Sequence, residues 1–128
     1  MPVIASQHAS FAYSSLVLMN GALERIAQAR QSMAGEDLAG EQSLLLRTAT
    51  SMIDELRGGL DLRTGGPLAA HFDDLYDYLA RRLGAAHRQS DPQILDEVAD
   101  LLQEVRTAWS LLPPYAHAQR EPAPAIRE

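Results

Sequence analysis

Between Ser10 and Leu112, apolar residues recur at steps of three and four, the spacing that gathers them on one face of an α-helix. Leu16, Met19, Leu23, Ile26, Arg30 and Met33 predict a first helix from an N-cap at Ser10 to about Met33, with the aliphatic stem of Arg30 filling one inward site. Leu45, Ala49, Met52, Leu56 and Leu60 predict a second, from about Gly40 to Leu62. Gly65-Gly66 followed by Pro67 stops one helix and starts the next, which runs to about Gln89 with Leu68, Phe72, Leu75, Leu79, Leu83 and Ala86 inward. Ser90 or Asp91 then caps a fourth helix with Pro92 in its first turn and Ile94, Val98, Leu101, Val105, Trp109 and Leu112 inward. No segment sustains the two-residue alternation of a strand. The expectation is an all-α protein, an antiparallel four-helix bundle over residues 10–112, with or without a short extra N-terminal helix. Residues 1–9 read as a flexible arm, and the Pro- and Ala-rich residues 113–128 as a disordered tail.

Some residues exceed what four inward stripes need. Tyr76 and Tyr78 are two positions apart, and at about 100° per residue their rings point about 200° apart. Tyr76 edges the core, whereas Tyr78 falls on a half-polar stripe beside His71 and Arg82. Leu44, Leu45 and Leu46 cannot share one face of the second helix. Leu95 and Leu102 sit at the edge of the fourth stripe. Surplus apolar residues on three helices suggest a groove that receives another helix, with Leu44, Leu45, Leu46, Met52, Tyr76, Tyr78, Arg82, Leu95 and Leu102 as candidate partner contacts. Gly58-Gly59, inside the second pattern, marks either a frayed helix end or the close approach of another backbone.

Composition narrows the partner. The net charge of −6 argues against nucleic acid, which is bound through clustered basic residues. Aromatic residues make up only 5% of the chain, which suits close-packed helices better than a sheet sandwich. The absence of cysteine removes disulfides and thiol chemistry, and suits a reducing cytoplasm. Polar residues interrupt the opening stretch, which lacks a basic start, so neither a signal peptide nor membrane insertion is expected.

Catalytic chemistry finds no foothold. No Glu is followed three residues later by His, so the di-iron bundle pattern is missing, and no His-x-x-x-His pair suggests a metal. Asp73, Asp74 and Asp77 face water on the helical wheel and read as a solvated face, not as acid-base machinery. The glycine pairs match no phosphate-binding loop. A phosphotransfer bundle would offer His71 or His87 as the exposed histidine. This chain has no lysine to accompany it, and His71 is followed by Phe72, Asp73 and Asp74, carboxylates that repel a phosphoryl group. No enzyme activity and no cofactor are expected.

The stretches "LVLMNGAL", "MIDELRGGLDLRTGGPLAAHFDDLYDYLARRLGAAHRQSD" and "LDEVADLLQEVRTAW", in that order, resemble the flagellar secretion chaperone family FliS, from about Leu16 to Trp109. The resemblance rests on the set: the Gly-Gly before helix three, Leu-Tyr-Asp-Tyr-Leu with Arg81-Arg82-Leu83, and Arg106-Thr107-Ala108-Trp109. It implies a cytosolic, non-enzymatic export chaperone. Such a protein binds the C-terminal segment of flagellin, prevents premature polymerisation and presents its cargo to the gate of the flagellar type III export apparatus. The N-terminal "MPVIASQHASFAYSSL" departs from the family pattern, lacking its Asn-x-Tyr motif and the Pro after Ser10. The alternative is a helical interaction module whose groove serves a homodimer or another secretion substrate.

Overall fold

The computed structural model describes residues 2–35 and 39–112, with side chains from 14–35 and 40–112. The tail expected to be disordered lies outside these residues. Four helices follow one another: α1 (Pro2–Ala34), α2 (Ala39–Gly58), α3 (Gly66–Gln89) and α4 (Pro92–Leu111). Each packs on two others, α1 on α2 and α4, and α3 on α2 and α4, and among the described residues no diagonal pair of backbones comes as close. The result is a closed ring of four. Arg30 reaches Asp96 and Arg106 reaches Asn20, so α1 and α4 run antiparallel, with Ser14 level with Leu112.

The core follows the three-four alternation of coiled-coil packing, with Ser32, Ala85 and Ile94 also buried beside it. Buried positions are Ser15, Met19, Ala22, Ile26 and Ala29 on α1 and Leu46, Ala49, Ile53, Leu56 and Leu60 on and after α2. On α3 they are Ala69, Phe72, Tyr76, Leu79, Leu83 and Ala86, and on α4 Leu95, Val98, Leu102, Val105 and Trp109. Phe72 packs nearly parallel to Tyr76 at 6.1 Å and edge-on to Trp109 at 5.3 Å, tying α3 to α4. Such aromatic pairs add about 0.5–1.5 kcal/mol each beyond the area they bury.

The stripes correct the sequence reading by one residue. On α1, Leu16, Leu23 and Arg30 are expected inward, yet Ser15, Ala22 and Ala29, each one residue earlier, hold the buried sites. On the other helices the shift runs the other way. Leu45, Met52, Leu75 and Leu101 were expected inward, yet Leu46, Ile53, Tyr76 and Leu102, each one residue further on, hold the buried sites. Each adjacent pair straddles its stripe. Which member faces the interior depends on where the neighbouring helices stand, and the period of the pattern does not carry that. The displaced residues become half-buried flanks. Met52, for one, lies against Gly21 of α1, where an added Cβ would come within 3.0 Å of its sulfur.

Helix ends follow local chemistry. The first helix begins at Pro2, eight residues before the expected Ser10 cap, so the stretch read as an arm continues α1, and no separate N-terminal helix forms. At 1.5 Å per residue, that part of α1 carries its backbone about 18 Å past the end of α4. The second helix ends at Gly58, and Gly59 N–H is shared between the carbonyls of Glu55 and Leu56. A Cβ at Gly58 would meet nothing within 4 Å, so Gly58 marks a helix end and not a close approach. The Asp61 carboxylate accepts the N–H groups of Arg63 and Thr64, folding the loop back toward Gly66, whose φ of +61° favours glycine. Asp91 caps α4 by accepting Gln93 N–H at 2.9 Å, with Pro92 in the first turn, as expected.

Candidate functional site

A ring of four helices has four outer seams, and here they are built from different chemistry. On the α3–α4 seam the Tyr78 hydroxyl donates to one oxygen of Glu97, and Arg82 Nε donates to the other at 3.0 Å. The Arg81 guanidinium lies 5.8 Å from the centre of the Tyr78 ring. Tyr78 therefore points where the helical wheel puts it, off the core and onto a polar latch. The hydrogen bond from Tyr78, reinforced by Arg82, holds the Glu97 carboxyl below its ordinary range, while the same bond to Glu97 pushes the Tyr78 hydroxyl up.

Arg57 latches the α2–α3 seam at one end. Its Nε donates to Asp73 at 2.7 Å and its Nη1 to Asp77 at 3.0 Å, and Arg81 donates to the other Asp77 oxygen at 3.0 Å. The hydrogen bond from Arg81 is the main cause that lowers the Asp77 pKa. At the other end of this seam a notch of about 290 Å³ opens between Leu46, Arg47, Thr50 and Ser51 of α2 and Leu83, Gly84 and His87 of α3.

The α1–α4 seam is unlike both. Between the Arg30–Asp96 and Asn20–Arg106 pairs runs a furrow of about 330 Å³. Leu23, Ile26 and Ala27 of α1 and Leu95 and Ala99 of α4 make its floor, and Arg30, Gln31, Asp96 and Gln103 its rim. Alanine at positions 27 and 99 leaves this space, because two short side chains meet where the other seams have long, paired ones.

The sequence-predicted contacts divide. Leu46, Tyr76, Leu95 and Leu102 are at most 2% exposed, locked in the core, which corrects the reading of the three leucines as surplus surface and of all four as direct partner contacts. Burial also drives the Tyr76 hydroxyl pKa upward. Leu46 and Leu95 still underlie the notch and the furrow as their deepest walls. Leu44 stands 57% exposed, while Leu45, Met52, Tyr78 and Arg82 are half-buried. The predicted residues do not converge on one site; they lie on three faces of the ring. Sequence reasoning missed Ala27, Ala99 and Gln103. The available signal was a pair of four-residue steps, Leu23 to Ala27 and Leu95 to Ala99, that flank their stripes with small residues. Other large exposed apolar residues are Val17, Leu62 and Leu111.

Among the described residues no three His, Asp or Glu side chains come together as metal ligands, and no helix is long and apolar enough to cross a membrane. Both His71 and His87 are exposed, the first beside Phe72 and the second on the notch.

Comparison with known proteins adds to this geometry. A family model described as flagellar protein FliS matches residues 5–114. A flagellar secretion chaperone of Pseudomonas aeruginosa, FliSB, is 44% identical over 93 residues, 73% of each chain. The flagellar secretion chaperone FliS of Vibrio cholerae is 35% identical over 79% of this chain and 74% of its own. That of Salmonella typhimurium is 32% identical over 80% and 76%.

Proposed function

This chain belongs to the FliS family of flagellar secretion chaperones, which are not enzymes, and from that premise we propose that it carries the C-terminal segment of flagellin. The segment lies on the chaperone as helical pieces, its apolar strip is covered before export, and the chaperone hands it to the flagellar export gate from the cytoplasm. One observation carries the reading: the α1–α4 furrow, with an apolar floor of Leu23, Ala27 and Ala99 between polar ends, suits the apolar edge of a foreign helix. Coupled folding and binding typically buries about 1,000–3,000 Å² and gives back about 2–5 kcal/mol to ordering. One furrow is smaller than that, so the cargo extends over neighbouring faces. Leu44, Leu45 and Met52 on α2 are the sequence-predicted contacts that remain within reach. Arg82 and Tyr78 contribute as the polar border of the α3–α4 seam. The buried four, Leu46, Tyr76, Leu95 and Leu102, act by supporting the surface from beneath.

Calorimetric titration with a flagellin C-terminal segment tests this. The expected result is one-to-one binding that Ala27→Arg weakens. A flat signal at micromolar segment overturns it. The competing use of the furrow by a second copy of the chain predicts a concentration-dependent doubling of mass instead.

A further inference from the structure

Arginine pairing across the molecule is uneven. Arg25, Arg30, Arg57, Arg81, Arg82 and Arg106 each reach a carboxylate or an oxygen of a neighbouring residue. Arg47, Arg63 and Arg88 make no such side-chain contact among the described residues; Arg63 lies in the loop after α2, near Asp61, whereas Arg47 and Arg88 border the same place. Arg47 lines the α2–α3 notch, and the Arg88 Nη1 atom lies 3.2 Å from where a Cβ on Gly84, another lining residue, would stand. His87 completes the rim. On a chain of net charge −6, two unpaired guanidinium groups and an imidazole thus surround a hollow floored by Leu46 and Leu83. The dipole of α3 favours His87 and Arg88 in its last turn, but it offers nothing to Arg47 on a different helix. Along α2 the nearest acidic residues are Glu41 and Asp54, and no carboxylate among the described residues lines the hollow.

We propose that this notch is a docking site for an acidic segment of another polypeptide, which seats an apolar side chain on Leu46 and Leu83 and sets flanking carboxylates against Arg47 and Arg88. The volume of about 290 Å³ admits one or two side chains and not a helix, so the site is an anchor point. Charge complementarity selects the partner: cations at a rim attract an acidic segment and repel a basic one. In the ring, the α2–α3 seam is opposite the α1–α4 seam, so occupation of the notch leaves the furrow accessible.

The test uses the full chain and three fluorescent peptides that differ only beside a central leucine, with Glu, Gln or Lys on both sides. The Glu peptide binds, the Gln peptide binds on the order of fivefold more weakly, and the Lys peptide does not bind. Arg47→Glu with Arg88→Glu lowers affinity for the Glu peptide by about tenfold or more, with a matching loss at high salt. Gly84→Leu, which fills the mouth and shifts the Arg88 guanidinium aside without removing a charge, lowers it as well, and circular dichroism checks that each variant folds. Binding of the flagellin segment stays within about twofold in the charge-reversed variant, as expected for sites on opposite seams. Equal binding of the Glu and Gln peptides overturns the proposal, as does wild-type affinity in the charge-reversed variant. Joint loss of peptide and flagellin binding overturns the separateness of the site. Self-association that disappears with Arg47→Glu makes a second copy the occupant, and also overturns it.

Discussion

The two flanks of α4 make opposite use of one helix. Toward α3 it presents Glu97, gripped by the Tyr78 hydroxyl and by Arg82, and the seam is shut by long side chains that satisfy one another. Toward α1 it presents Leu95 and Ala99 to Leu23 and Ala27, and the seam stays open because neither helix has a side chain long enough to cross. A partner entering the first flank must break charge-assisted hydrogen bonds and leave a carboxylate without its donors. A partner entering the second breaks nothing and removes apolar surface from water. The aromatic ring that draws the eye in the sequence therefore marks the closed flank, and two alanines mark the open one.

The largest effect comes from the wall that both flanks share. Leu102 is fully buried beneath α4, and Leu102→Ala removes core volume that the surrounding side chains refill only in part. Urea unfolding should show a loss of about 2–5 kcal/mol, with cargo affinity falling only as far as the folded fraction falls. If stability is unchanged while binding is lost, Leu102 faces a partner after all.

Leu102 also shows how far the sequence could be read. Four helices, their order, the Pro67 start of α3 and the Asp91 cap were legible, because each rests on local spacing or local capping chemistry, whereas α2 stops at Gly58, short of the Leu62 and Gly65-Gly66 that the sequence points to. The inward member of each adjacent apolar pair was not. Leu45 and Leu46 lie about 100° apart on their helix, and either could face the core until the positions of α1 and α3 are known. The same ambiguity made Leu95 and Leu102 look like surplus and left Leu101, now half-buried, in their place. The furrow was hidden for a different reason. It is made by what Ala27 and Ala99 lack, and an absence shows only when two helices are brought side by side. Tyr78 was read correctly as pointing off the core, but its partner Glu97 is 19 residues away on another helix.

On the open flank, Ala27→Arg adds a long charged side chain at an exposed position of α1, into the furrow and away from the core. Flagellin-segment affinity should fall by about tenfold, because an apolar floor gains a charge that the incoming helix must desolvate. The melting temperature should stay within about 2 °C of the parent, as is usual for surface substitutions. The counterpart on the closed flank is Tyr78→Phe, which keeps the ring and removes only the donor to Glu97. Here the expectation reverses: a small drop in melting temperature and cargo affinity within about twofold of wild type, since the ring is a border and not a floor. If Tyr78→Phe weakens binding more than Ala27→Arg does, the assignment of open and closed flanks is inverted.

The smallest effect is the pH dependence of the latch, and its sign follows from the shifts. The Glu97 carboxyl titrates below its ordinary value of 4.5 in the folded chain, so its contribution is complete above that pH and is lost as the pH falls through the lowered value. The Tyr78 hydroxyl titrates above its ordinary 10.0, so its contribution is complete below that pH and is lost as the pH rises through the raised value. Between these limits the α3–α4 seam is at full strength. Glu97→Gln removes the acid-side titration while leaving an oxygen for Tyr78 to donate to. Melting curves for parent and variant should differ slightly at neutral pH and converge as the pH drops below 4.5, where the parent carboxyl becomes protonated. Asp61 and Asp77, also lowered, titrate in both proteins and cancel in the difference. Curves for Glu97→Gln that run parallel to the parent down to full protonation would mean that Glu97 does not latch this seam, and the contrast between the two flanks would rest on shape alone.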